Sequence, residues 1–155
     1  REFLKNYETP YTPAVTLFYA LDEALIMIRE EGLRTRYSRH EVCANALYEG
    51  LEALGFGIFA KPEFRSQTVV AAKYLPNMDD KKFRELLREQ YHVVVAGGMG
   101  KLKGTMFRVG VMGTVSRFEI LTTLSAIEST LVDLGQKFEY GAGARAARDV
   151  FAKQS

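Results

Sequence analysis

The chain has 155 residues, 47% hydrophobic, 26% charged and 12% aromatic, the size and make-up of one ordinary globular domain rather than a disordered, fibrous or membrane protein. The formal net charge is +2, with Lys and Arg interspersed among Asp and Glu, so there is no basic stripe to neutralise a nucleic-acid backbone and nucleic acid is not expected as a partner. The single cysteine, Cys43, excludes an intramolecular disulfide and a cysteine-based metal cluster and fits a reducing compartment, the cytoplasm.

No apolar run approaches the ~20 residues of a membrane-spanning helix, so no membrane is expected as a partner. No charged-then-apolar leader opens the chain, and a start at Arg1 rather than Met fits a processed chain or part of a longer one. Residues 1–12 read as a connecting segment, polar and rich in Tyr and Pro. Thr12 followed by Pro13 has the form of a hydroxyl cap with proline at the first helical position. Val15, Phe18, Leu21, Leu25 and Ile28 then recur at spacings of three and four, which predicts a helix over 13–31 stopped by Gly32 in a left-handed conformation. Ser38 and Glu41 have capping-box spacing and lead into Val42, Ala46, Leu47, Leu51 and Leu54, a second helix that starts there or a turn earlier and stops at Gly55.

"FGIFA" (56–60) and "TVVAAKYL" (68–75) read as strands. Asp79 or Asp80 can cap a helix through Phe83, Leu86, Leu87 and Tyr91, followed by strands "HVVVAGG" (92–98) and "TMFRVGVM" (105–112). A second capping box, Ser116 with Glu119, opens a helix as far as Gly135. The tail "ARAARDVFAKQS" has helical propensity but a thin apolar face, which predicts a short peripheral helix. The order is too interleaved for a bundle and lacks regular strand–helix alternation. The fold class expected is α+β, with helices on one face of a small mixed or antiparallel sheet.

Gly98, Gly100 and Gly104 are spaced G-x-G-x-x-x-G and run into a strand, whereas a nucleotide loop runs into a helix whose N-terminus faces the phosphates. They serve tight turns instead. Arg108 is more pointed, because a guanidinium cannot shed its charge and sits here among Met106, Phe107, Val109 and Val111. Two readings are open: strand alternation places it on a wet face beside Gly110, or its planar fork grips a carboxylate. Thr12 and Thr9 likewise either cap or offer hydroxyls and helix N–H groups to a phosphate. Cys43 falls inside a helix as inert packing, His40 on a solvated face near Glu41, and His92 has no second metal ligand nearby. No metal site is expected.

The segments "TPYTPAVTLFYALDEAL", "EGLRTRYSRH" and "VAGGMGKLKGTMFRVGVMG" resemble the C-terminal part of the class V aminotransferases, the fold-type I enzymes typified by alanine–glyoxylate and serine–pyruvate aminotransferase. The resemblance covers nearly the whole chain and implies that 13–155 is the small C-terminal domain of a pyridoxal 5'-phosphate enzyme. It implies that Arg108 binds the substrate's α-carboxylate. Thr12, and less closely Thr9, would reach the cofactor phosphate of the other subunit of a homodimer. Substrates would be a small amino acid and a 2-oxo acid such as glyoxylate or pyruvate. The family's cofactor lysine and pyridine-pairing aspartate belong to a large domain that has no counterpart here, so this chain alone is expected to be inactive. Cysteine desulfurases share the class, but their mobile thiol does not match a helical Cys43. The alternative is a stand-alone carboxylate-binding or dimerisation module, which would use Arg108 without needing Thr12. The closing "KQS" is not a peroxisomal signal.

Overall fold

In the computed structural model, which describes residues 2–153, a four-residue helix α1 (Glu2–Lys5) precedes the first long helix, and that helix starts after the Thr-Pro pair rather than on it. Helix α2 spans Val15–Glu31, and its N-cap is Ala14, with no side-chain cap. Two backbone features delay the start. Pro13 biases Thr12 away from helical angles, and the Val15 N–H bonds back to the Pro13 carbonyl at 2.9 Å before Leu17 and Phe18 take up the Ala14 carbonyl. Gly32 ends α2 with φ 79° and ψ 136°. The positive φ is as expected, but ψ is extended, and the chain turns at once into α3 (Leu33–Ala53). The Ser38–Glu41 spacing therefore lies inside a helix and caps nothing, because Leu33–Arg36 already continue the helix from Gly32, with Arg36 N–H on the Gly32 carbonyl. Residue 1 and the Gln154–Ser155 end of the "KQS" tail lie outside the described residues.

By packing, the residues up to Tyr37 form one unit and those from Ser38 a second. In the first, no residue of α2 is buried, and its predicted apolar stripe is open, with Phe18 64% and Leu21 54% exposed. The second holds the core. Helix α3 contributes Cys43, Ala44, Ala46, Leu47, Tyr48 and Leu51, and closes at Gly55 (φ 88°), where Phe56 N–H returns to the Leu51 carbonyl.

Strands β1 (Gly57–Ile58), β2 (Val69–Lys73), β3 (Ala96–Gly97) and β4 (Met106–Gly110) form an antiparallel sheet ordered β1-β2-β4-β3. β3 is shorter than the sequence predicts. Helix α4 (Asp80–Tyr91) ends on a left-handed His92, φ 55°, and Val93 N–H is spent on the Leu87 carbonyl, so residues 92–95 belong to a helix end rather than a ladder. The other end of α4 is capped as predicted, by the Asp79 carboxylate accepting from Lys82 N–H at 2.7 Å.

Val70 opposite Val109 and Ala72 opposite Phe107 are buried on one face of the sheet, with α3, α4 and α5 (Arg117–Asp133) supplying the rest of the core. Phe56, Phe83, Phe107 and Tyr74 interlock there with ring centroids 5.1–6.3 Å apart, each buried Phe contributing about 2–3 kcal/mol. The Ser116–Glu119 capping box forms at the head of α5.

The last helix, α6 (Ala142–Ala152), is not peripheral. Ala142, Gly143, Ala144, Ala147 and Phe151 are buried, and the buried Glu128 carboxylate of α5 accepts from Gly141, Gly143 and Ala144 N–H at 2.9–3.2 Å, capping α6 from outside its own sequence. Small residues make this contact: a methyl group added to Gly50 would come within 3.1 Å of the Gly143 carbonyl oxygen, and one added to Gly143 would meet Leu54 at 2.9 Å. Among the described residues no helix is long and apolar enough to cross a membrane.

Candidate functional site

Arg108 occupies the middle of β4, an interior strand of the sheet. Alternation puts its side chain on the face opposite Phe107 and Val109, as the wet-face reading requires. Its neighbours across the ladder are Ala71 on β2 and Ala96 on β3, with Gly110 two residues along on the same face. Three residues with at most a methyl side chain thus leave a shallow clearing round one cation. Arg108 is half-buried, and its Nε–H donates to the Gly97 carbonyl at 3.1 Å. Among the described residues it makes no ion pair.

The glycine loop beside it is a turn, as its spacing predicts. Gly98 N–H donates to the Met106 carbonyl at 2.9 Å, and a Cβ on Gly98 would lie 2.0 Å from the Leu102 carbonyl oxygen, so only glycine fits. Gly100 and Gly104 have φ of 55° and 77°. On the other side of β4, α3 grips the loop leading to α5: Arg39 donates to the carbonyls of Val115 at 2.5 Å and Gly113 at 3.1 Å, and His40 Nε2 lies 3.3 Å from the Gly113 carbonyl. His40 is thus engaged with a loop rather than turned to open solvent.

Under the β3 edge, Tyr74 OH donates to Asp80 Oδ1 at 2.5 Å, and Arg84 forms a two-pronged pair with the same carboxylate, Nε to Oδ1 at 2.7 Å and Nη2 to Oδ2 at 3.0 Å. The Arg84 bonds hold the Asp80 carboxyl below the usual carboxylate range, while burial, reinforced by Asp80, pushes the Tyr74 phenol up. This group was missed in the sequence, although the four-residue spacing of Asp80 and Arg84 on a helix signals a pair.

Thr9 and Thr12 belong to the first unit and Arg108 to the second. The Thr9 hydroxyl donates to the Tyr11 carbonyl at 2.6 Å, and Thr12 is exposed just ahead of α2. Cys43 is buried on α3, where burial above all raises its thiol. All nine lysines of the chain are exposed, so none sits in the desolvated pocket that a nucleophilic lysine requires. No metal-ligating cluster of His, Cys, Asp and Glu occurs among the described residues.

No family model matches the chain. An uncharacterised aminotransferase of Methanocaldococcus jannaschii is 45% identical over 98% of this chain and 40% of its own length. Among solved structures, pyridoxamine–pyruvate aminotransferase from Mesorhizobium loti superposes with a TM-score of 0.89 and ureidoglycine–glyoxylate aminotransferase from Bacillus subtilis with 0.87, each at 30% identity over 95% of this chain and 38% of its own. The chain therefore spans about two fifths of the length of the proteins it matches. Sequence and fold thus agree over nearly all its residues that the chain is similar to the C-terminal part of the class V aminotransferases.

Proposed function

We propose that the full-length protein is a pyridoxal 5'-phosphate-dependent aminotransferase exchanging an amino group between a small amino acid and a 2-oxo acid such as glyoxylate or pyruvate, and that residues 13–155, as its small domain, supply the arginine that binds the substrate carboxylate. The observation that carries this reading is the setting of Arg108: a half-buried guanidinium without an ion pair among the described residues, held at Nε by a backbone carbonyl and ringed by Ala71, Ala96 and Gly110. With Nε engaged, the two terminal nitrogens form the planar edge that matches a carboxylate. The relatives supply the reaction class, since the two superposed structures are a pyridoxamine–pyruvate and a ureidoglycine–glyoxylate aminotransferase.

The residues present fit one end of the cofactor. Thr12, exposed ahead of a helix, suits a phosphate, and in a homodimer it would serve the partner's site; Thr9 has its hydroxyl turned to Tyr11. They do not fit the other end, for no lysine is buried. When bound, the cofactor supplies an electron sink for the carbanion at the amino-acid Cα. Arg108 then acts by position: holding the carboxylate at two points fixes its plane, and with the amino group held as well the direction of the Cα–H bond is set.

Replacing Arg108 by Ala in the full-length protein removes two charge-assisted hydrogen bonds, and kcat/KM for both the amino acid and the 2-oxo acid should fall about a hundredfold or more. Unchanged constants would show that the arginine does not read the substrate. Thr12→Val should weaken cofactor binding about tenfold with substrate KM untouched.

A further inference from the structure

The Gly97–Gly98 peptide is held from both sides. Its N–H, on Gly98, donates to Met106 O in β4, and because the peptide is trans its carbonyl, on Gly97, faces the other way and receives the Arg108 Nε–H. The Arg108 side chain thus leans across β3, where Ala96 offers no bulk. Gly97 is in turn pressed onto α4. A Cβ built on it would lie 3.3 Å from Arg84 Nε, 3.4 Å from Arg84 Cζ and 3.5 Å from Asp80 Oδ1. Its φ is not positive, so glycine serves closeness here and not a special turn: a methyl group would have to push the Arg84 side chain back by a few tenths of an ångström.

An i,i+4 ion pair on a helix surface ordinarily contributes little. This one differs in three ways. It is two-pronged, it has a third member in Tyr74 reaching over from beyond the end of β2, and the flat guanidinium it immobilises is the surface on which Gly97 rests.

We propose that Arg84, locked by Asp80 and Tyr74, is a positioning residue for Arg108: through the Gly97 peptide it fixes the height and tilt of the carbonyl that holds Arg108 Nε, and so sets the affinity for the substrate's carboxylate. This rests on the reading of Arg108 given above. Arg84 does not touch the substrate. Its guanidinium plane is the floor, the Gly97 peptide the lever, and the Arg108 fork the part that moves.

The test uses the full-length enzyme with L-alanine, with L-alaninamide, which lacks the carboxylate, and with propionate as an unreactive carboxylate measured by calorimetric titration. Arg84→Met keeps the stem and removes the plane, and Gly97→Ala lifts the peptide off it. Each should weaken propionate binding and raise the KM for L-alanine about fivefold, with kcat and the rate on L-alaninamide nearly unchanged. In an Arg108→Ala background the further effect of either substitution should vanish, because the coupling runs through that residue. Loss of equal size on L-alaninamide, or a loss that persists undiminished without Arg108, overturns the proposal and leaves the carboxylate role of Arg108 standing. If Arg108→Ala alone leaves propionate binding intact, the functional reading falls and this inference with it. Should Arg84→Met fail to fold, Gly97→Ala decides alone.

Discussion

Glu128 carries more structural consequence than its place in the sequence suggests. Fully buried, it accepts three backbone hydrogen bonds at the head of α6, where the helix dipole also favours a negative charge. Glu128→Ala should destabilise the folded chain by about 3 kcal/mol, leaving two buried N–H groups and one half-buried one without an acceptor, and Glu128→Gln by less; urea denaturation midpoints measure both. Gly98→Ala should be comparably costly, since its methyl group would lie 2.0 Å from a backbone oxygen. Individual residues differ in how far they can be read in advance. Arg108 stands out among apolar neighbours because its charge is permanent. What sits around it does not: Gly97 has no side chain to advertise its carbonyl, and Arg84 and Arg39 look like two more cations on helix surfaces until the fold brings one to β3 and the other to the Gly113 loop.

Among elements, local signals succeeded where a side chain itself makes the bond. The Asp79 cap and the Ser116–Glu119 box both form, and Ser116→Ala should cost about 1 kcal/mol in thermal or urea unfolding. Those signals failed where backbone or long-range contacts decide. Thr12 and Ser38 have the right chemistry for caps, but Pro13 and the uninterrupted run after Gly32 place the helix starts elsewhere. β3 shrank because its first residues complete α4. Hydropathy cannot register an α6 contact made of Gly and Ala, since closeness rather than apolar area secures it. Helix α2 is the opposite case: periodicity marks it clearly, yet nothing in it is buried. A helix of 17 residues without packing is marginal in water, so in this chain on its own α2 amides should exchange with solvent far faster than those of Ala44–Leu51 in α3, as hydrogen-exchange mass spectrometry would show.

For the molecule as a whole, the displaced ionisations set the pH range of stability. Asp80, held down first by its bonds to Arg84, and Glu119, held down first by Ser116, bind their protons less readily folded than unfolded. Their contribution is complete above the unfolded carboxylate value of about 4 and is lost as pH falls through their folded values. Tyr74, raised chiefly by burial, works in the opposite direction: its contribution is complete below about pH 10 and is lost as pH rises through its folded value. Melting temperatures should therefore hold level between about pH 5 and 9 and fall on either side, and Asp80→Asn should shrink the acid fall. With every lysine exposed, this chain alone, given pyridoxal 5'-phosphate and L-alanine with glyoxylate, should form no glycine. The class of fold was legible in the order of the helical and strand patterns, which local periodicity sets, and the family only as a resemblance carried by three segments of the chain. The sheet's pairing and the two-unit division arise from contacts between residues far apart in the sequence.

The docking of α6 also limits how the protein can be shortened or tagged. A trim at Tyr140, attractive because the alanine-rich end looks dispensable, would strip Glu128 of every amide it binds and open Leu54 to water. Such a product would be a candidate for inclusion bodies rather than for crystals, whereas an affinity handle attached beyond Ala152 would disturb none of these contacts.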